Sequence, residues 1–378
     1  MAQAFFGGVH PNDMKAATNE KAIEQLQAPA QVVIPMSMHF GAPCTPTVSK
    51  GDYVKLGQKI GEFKGLGAPI HASVSGTVAA VEPRPYSMGG KVMSVVIDND
   101  FKDDLSEEVH APADPDALSV EEMVEMVKQA GIVGMGGATF PTQVKLTPPP
   151  GNKAEVLIIN GVECEPYLTA DHRIMLEKAE EIIIGVQILM KAIDVKRAII
   201  GIENNKKDAI AHLQDIAGKV LGVEICPLKV KYPQGGEKQL IDAITKRQVA
   251  SGALPISTGA VVQNVGTAFA VYQAVQKNKP LFERVITVTG KSVAKPSNFL
   301  ARIGTPMKQL IDACGGLPED TGKVIGGGPM MGKALVNTEV PTAKGSSGIL
   351  IMNQKEAKRG EAQTCIRCAK CVSACPMG

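Results

Sequence analysis

The chain of 378 residues contains no tryptophan, and aromatic residues make up only 4% of it. Little ring surface is left for stacking single-stranded nucleic acid. Forty lysines and arginines stand against 38 aspartates and glutamates, so the net charge of +2 carries neither a nucleic-acid footprint nor an acidic tail. The N-terminus, MAQAFFGGVHPNDMK, has no basic stretch followed by an apolar core, so no secretory leader is read there. Long hydrophobic runs are also missing. IIIGVQILM at Ile182 to Met190 is too short to cross a bilayer. The uncharged stretch between Arg247 and Lys277 is broken by Gly252, Pro255, Gly259, Gln263, Asn264 and Gly266, and reads as loop plus buried helix. No disulfide framework is visible either. Cys44, Cys164, Cys226 and Cys314 are scattered and four more cysteines cluster at the end, a pattern of a reducing compartment with one metal-type cluster. These absences predict a cytoplasmic protein that can still dock on a membrane partner.

What is plentiful is glycine, 39 residues, and proline, 25. The length suggests about two or three domains. Residues 1–34 read as an irregular extension. From Val48, VSKGDYVKLGQKIGEFKGLGAPIHASVSGTVAAVEP alternates short β-type runs with Gly and Asp turns, which predicts a small β-module over 35–105. GDYVKLGQKIGE and ASVSGTVAAV resemble the biotinyl/lipoyl barrel-sandwich family. Lys64 is the candidate for its modified lysine, but FKGLG lacks the flanking pattern, so a structural sandwich without a cofactor is expected.

A linker rich in Asp and Pro runs from Asp98 to Asp116. Ser119 and Glu122 then form a capping box before VEEMVEMVKQA, and Gly131 ends that helix. Strands over 154–160, 197–203 and 223–230 alternate with helices from Asp171 to Ile193, Lys206 to Leu221 and Glu237 to Thr245. Such alternation predicts βαβ units and a mostly parallel, Rossmann-like sheet over 115–282. From Arg284, strand RVITVTG, helix PMKQLIDACGG and the Gly-rich pair GKVIGGGPMMGKAL suit a β-grasp module over 283–340. The segment 345–378 reads as a Gly/Ser linker, a charged helical stretch and the cysteine run. The fold class is therefore α/β with flanking β-modules.

Four constellations carry chemistry. In GIVGMGGATFPTQVK, Gly134, Gly136 and Gly137 allow close backbone approach and Lys145 adds charge. Thr139 stands where a G-x-G-x-x-G dinucleotide fingerprint would need glycine, and the loop follows a helix rather than a strand. INGVECEPYLTADHR follows a strand, where open parallel sheets bind ligands. Its Asn160, Glu163 and Glu165 can meet ribityl or ribose hydroxyls, and carboxylates there disfavour a 2′-phosphate. Cys164 reads as a small buried thiol and His172 as a packing or capping residue. KYPQGGEKQLI places Tyr232, Gly235 and Glu237 at another strand end entering a helix. In VVQNVGTAFAV, Gln263, Asn264 and Thr267 open an apolar helix, with Asn264 either a plain cap or a ligand contact.

Taken in order, G-x-G-G-A-x-F-P-T-x-x-K, N-G-x-E-C-E-P, Y-P-x-G-G-E-K-Q-L, Q-N-V-G-T and the cysteine run, with the GGVHP start and YLTADHR, resemble the RnfC family of the Rnf complex, an ion-translocating ferredoxin:NAD+ oxidoreductase. The core is similar, more distantly, to the FMN- and NADH-binding subunit of respiratory complex I. The resemblance implies a Rossmann-like FMN domain, an SLBB-type β-grasp domain and a helical iron–sulfur segment. It implies that Gly134, Gly136, Gly137 and Lys145 hold FMN, that Asn160, Glu163, Tyr232 and Gly235 line the flavin, and that Asn264 and Thr267 meet its phosphate end. Phe140, Glu165 and Glu237 would face NADH. Thr139 departs from the family's GAGFP, and Pro148 to Pro150 follow Lys145 where the complex I subunit places an aromatic. Hydride transfer needs no acid or base from the chain, so no catalytic residue is assigned. The implied partners are the other Rnf subunits, membrane and iron–sulfur subunits among them, and ferredoxin indirectly. The implied place is the cytoplasmic face of the inner membrane. The alternatives are a related microcompartment flavoprotein that reduces a corrinoid, and a docking subunit without catalysis.

The run CIRCAKCVSACP has the spacing of two-cluster ferredoxins, in which three cysteines bind one [4Fe–4S] cluster and the fourth serves the other. Cys365, Cys368 and Cys371 then lack a fourth ligand, and Cys375 lacks its cluster. A zinc site would pair two C-x2-C units instead. The expectation is a severed module that retains FMN competence, with an incomplete cluster site and mobility after about residue 350.

Overall fold

The structure is a computed structural model that describes residues 3–107, 109 and 117–377. The linker expected over 98–116 lies partly outside these residues. The chain is mixed α/β and builds three β assemblies.

Near the N-terminus, Gln31–Pro35, Lys91–Asn99, Gly76–Pro85 and Tyr53–Val54 form an antiparallel sheet, faced by the smaller sheet of Thr45–Pro46, Lys59–Glu62 and Ile70–His71. Alternating residues such as Val32, Ile34, Val95 and Ile97 are fully buried, as period-2 patterning requires. Lys64 is exposed between Lys59–Glu62 and Ile70–His71.

The central sheet has four parallel strands, in spatial order Val223–Leu228, Ala198–Glu203, Val156–Asn160, Ala260–Asn264. The run VLIIN is buried almost throughout, as expected of a strand covered on both faces. The order reverses beside Val156–Asn160: the chain moves outward twice to one side and then returns to the other. A crevice opens at such a switch point, beyond the carboxyl ends of the strands. The helix expected from Asp171 to Ile193 is two helices, Ala170–Glu177 and Ala179–Ala192, because Lys178 leaves the helical region at φ −134°. Ser119 and Glu122 do form the capping box of Val120–Gln129. Glycine at 185 allows the helix Ala179–Ala192 to lie directly on the helix Val265–Lys277; a Cβ there would stand 2.0 Å from the Ala268 carbonyl oxygen.

The third sheet has six strands, in order Ile23–Gln25, Ser297–Arg302, Glu283–Thr289, Gly348–Asn353, Thr321–Gly326, Lys333–Ala334, with helix Met307–Ala313 packed on it. Two expectations are corrected here. The stretch 1–34 is not irregular throughout, since Ile23–Gln25 extends this sheet in parallel and Gln31–Pro35 belongs to the first. Gly348–Asn353, assigned to a mobile C-terminal segment, lies inside the sheet between Glu283–Thr289 and Thr321–Gly326. Its apolar side chains Ile349, Leu350 and Ile351 are buried, which holds it there.

Candidate functional site: a crevice at the switch point of the parallel sheet

Asn160 and Asn264 end neighbouring strands and are register partners. Asn264 is an N-cap: its Oδ1 accepts from Gly266 N at 2.8 Å and Thr267 N at 3.4 Å. Its Nδ2 donates to Asp171 Oδ2 at 2.8 Å. Asn160 Nδ2 donates to the Gly235 carbonyl at 2.9 Å, which draws in the third constellation.

The glycine loop docks onto this frame. Gly134 N donates to Phe140 O at 2.8 Å and closes the loop at its base. Met135 N donates to Thr267 Oγ1 at 3.0 Å. A Cβ at Gly136 would stand 2.8 Å from Asn264 Nδ2, whereas one at Gly137 would meet nothing within 4 Å. Thr139 takes the left-handed region at φ 54°, a cost for a β-branched residue. Phe140 pairs with Phe40 of the first β assembly, ring centroids 5.6 Å apart, and Phe40 N donates to Thr139 O at 3.0 Å.

Lys145 Nζ donates to Glu237 Oε1 at 2.6 Å and to Val262 O at 3.1 Å. The sequence places these two residues on different sides of the site, FMN and NADH, and the fold joins them. Glu163 is engaged by protein: its carboxylate accepts from Asp171 N at 2.8 Å and His172 N at 3.3 Å, at the start of the helix Ala170–Glu177. Glu165 reaches the third assembly and accepts from Met330 N at 3.0 Å and Met331 N at 2.7 Å. Burial raises its pKa. Cys164 accepts from Gly235 N at 3.4 Å, and burial pushes its thiol up to about 11, so it is uncharged at neutral pH. His172 is buried against Asp208, Nε2 to Oδ1 2.8 Å, a packing role. Tyr232 pairs with Val9 through backbone bonds of 2.8 Å, which seats the GGVHP start beside the crevice.

Sequence reasoning missed three residues. Lys15, Asp171 and Phe40 reach the site from separate elements, and no spacing in the chain signals them. Burial, followed by repulsion from Glu163, raises the Asp171 carboxyl to about 6. Two cavities of about 550 and 510 Å³ lie elsewhere and are not lined by the crevice residues named above.

The described residues suit a flavin nucleotide. Glycines leave open space beside Gly137, a lysine stands at the rim, and the Gln263 side-chain N–H is buried with no partner at the end of Ala260–Asn264. They do not assemble a cluster site. Cys365, Cys368, Cys371 and Cys375 are all exposed, and no group of three or more His, Cys, Asp or Glu is placed to hold a metal among the described residues. Their segment touches the body through Gly8 N, which donates to Ala374 O at 2.9 Å.

The chain is 47% identical over 99% of its length to the RnfC-type subunit of the Na+-translocating ferredoxin:NAD+ oxidoreductase complex of Acetobacterium woodii, covering 84% of that protein. It is 48% identical over its whole length to the counterpart in the proton-translocating complex of Clostridium ljungdahlii, covering 82% of it. The chain belongs to the RnfC family. Family models match along this RnfC member in the order of its three β assemblies: the RnfC barrel sandwich hybrid domain over 3–102, the Nuo51 FMN-binding domain over 127–273 and the SLBB domain over 285–334. A subunit of an NAD+-reducing [NiFe]-hydrogenase in the H2-reduced state shares the fold, with a TM-score of 0.51, 21% identity and coverage of 63% of this chain and 47% of that one.

Proposed function

We propose that the crevice binds FMN and that the chain exchanges hydride between NAD(H) and FMN, as the nucleotide-binding subunit of an ion-translocating ferredoxin:NAD+ oxidoreductase. The observation that carries this reading is the convergence, at the one switch point of the parallel sheet, of the glycine loop, Asn160, Asn264 and Lys145. The relatives' names point the same way. When bound, FMN supplies two-electron chemistry toward nicotinamide and one-electron chemistry toward iron–sulfur partners.

The chain's own residues bind and orient. Gly136 and Gly137 admit the cofactor close to backbone, and the Lys145 ammonium offers charge to it. Asn160 and Gly235 line the ring side, with Tyr232 beside them. Asn264 and Thr267 hold the helix start that faces the phosphate end. Phe140, Glu165 and Glu237 form the nicotinamide nucleotide side, where carboxylates favour NAD over a 2′-phosphorylated nucleotide. No side chain is asked to move a proton. No electron-transfer step is assigned to the cysteine run, whose thiols do not converge in this structure. No helix among the described residues is long and apolar enough to cross a membrane, so membrane association would come through partner subunits at the inner face of the cell membrane.

The test is direct. Purified chain is titrated with FMN while flavin fluorescence is followed, and NADH is then added without oxygen. Saturable quenching followed by bleaching of the flavin absorbance is expected. Binding without bleaching would leave a docking subunit, and no binding would end the reading.

A further inference from the structure

We propose that Lys15 is a positioning residue of this crevice: its ammonium holds the backbone of the loop from Glu163 to Leu168, and through it the loop's side chains, in the arrangement that FMN binding requires. The proposal rests on the FMN reading above.

Lys15 comes from the N-terminal segment, far from the sheet in sequence, and is only 5% exposed. Its Nζ donates to Glu163 O at 3.0 Å, to Glu165 O at 2.9 Å and to Leu168 O, and lies 3.9 Å from the Glu163 carboxylate. An ammonium has three N–H donors and no acceptor, so three carbonyls of a single loop use it completely. The charged groups around it are Glu163, Glu203 and Lys206, with the Cys164 thiol beside them. Lys206 supports the loop's start in the same way, donating to Val162 O at 2.7 Å.

Burying an ammonium is costly unless every donor is used, and that cost is visible as a pKa lowered to about 8 by desolvation. The return is geometric. With its carbonyls turned toward Lys15, the loop sets Glu165 against Met330 and Met331, Cys164 under Gly235 N, and Glu163 at the start of the helix Ala170–Glu177. The segment that carries Lys15 is itself anchored. Tyr167 N donates to Asp13 O at 2.8 Å, Thr169 Oγ1 donates to Thr18 Oγ1 at 2.7 Å, and Asn298 Nδ2 donates to Thr18 O at 2.9 Å. The N-terminal segment therefore straps the cofactor loop to the six-stranded sheet. Without the ammonium, three carbonyls would face a buried gap without donors, and the loop would turn to find others.

The experiment compares FMN affinity, by fluorescence quenching, in wild type, Lys15→Ala and Lys15→Met, with thermal melting of each. The two lysine variants should melt cooperatively and bind FMN about tenfold more weakly or worse. Ethylammonium added to Lys15→Ala should restore affinity, since it brings three N–H donors. Tetramethylammonium, of equal charge but without N–H, should not. Unchanged affinity in both variants, or equal rescue by both cations, overturns the proposal. So does failure of both variants to fold, because Lys15 would then be a requirement of the whole fold. Wild type that takes no FMN overturns the reading beneath it, and the proposal with it; wild type that binds while Lys15→Ala binds equally overturns the proposal alone.

Discussion

Asn264 stands directly across from Asn160 at the ends of adjacent parallel strands, its Nδ2 3.4 Å from the Asn160 carbonyl oxygen. One asparagine starts a helix and the other holds the Gly235 turn, so a single register joins two constellations that lie 104 residues apart. A slip of one residue in that pairing would turn both side chains away from the crevice. Substitutions in and around this frame have distinct expected outcomes.

Gly137→Ala and Gly136→Ala separate cofactor space from packing. The first adds a methyl where nothing lies within 4 Å, so stability should hold while FMN affinity falls. The second drives a methyl to 2.8 Å from Asn264 Nδ2 and should lower both. Melting curves and FMN titrations on the two proteins decide; equal FMN affinity in Gly137→Ala and wild type would move the cofactor elsewhere.

Thr139→Gly should stabilise the chain. The residue sits at φ 54°, where a β-branched side chain is strained, so glycine should gain about 1 kcal/mol after its own entropy loss. Chemical denaturation of the pair would show it as a raised midpoint at unchanged slope.

Gly185→Ala should be severely destabilising. Its Cβ would stand 2.0 Å from the Ala268 carbonyl oxygen, so two buried helices must part, at a cost of about 3 kcal/mol or more. A melting temperature close to that of wild type would contradict the close helix contact.

Asp171 sets a pH dependence. Its carboxyl titrates near 6 in the folded chain, above the ordinary aspartate value, so between about pH 4 and pH 6 the native state binds more protons than the unfolded one. Stability from this group therefore falls as pH rises through that window, and the full cost is present above it. Asp171→Asn should be more stable by about 1–3 kcal/mol at pH 7 and should flatten that part of the profile. Unfolding at a series of pH values tests both.

Thiol labelling should divide the cysteines. Cys365, Cys368, Cys371 and Cys375 are exposed and should react with iodoacetamide in the native protein. Cys44, Cys164 and Cys314, each held up to about 11 or 12 by burial, should stay protected until the chain unfolds. Peptide mapping by mass spectrometry reads the outcome.

Much of the fold was legible because its signals are local. The capping box at Ser119, the alternation of apolar runs with amphipathic helices, and the helix Glu237–Thr245 depend on neighbours within a few residues. The break at Lys178 was not legible, since the apolar pattern continues across it. Nor was Gly348–Asn353: a short apolar run after a Gly/Ser stretch shows no partner until the sheet closes around it. In the site, the glycine loop and the two asparagines declared themselves by composition and position at strand ends. Glu163 did not; a carboxylate beside a helix start reads the same in sequence whether it faces ligand or backbone.

By itself, the sequence determined the α/β class, the order of its modules, the family and the residues able to meet a flavin nucleotide, because periodicity and motif spacing are written along the chain. Only the tertiary structure decided that Lys145 and Glu237 form an ion pair and that Phe40 lies against Phe140. It also brought Lys15, from the N-terminal segment, to turn the Glu163–Leu168 loop inward. These are contacts between elements distant in sequence. Their energy depends on burial and on which donors remain unpaired once the sheets have packed, and neither exists before the chain folds.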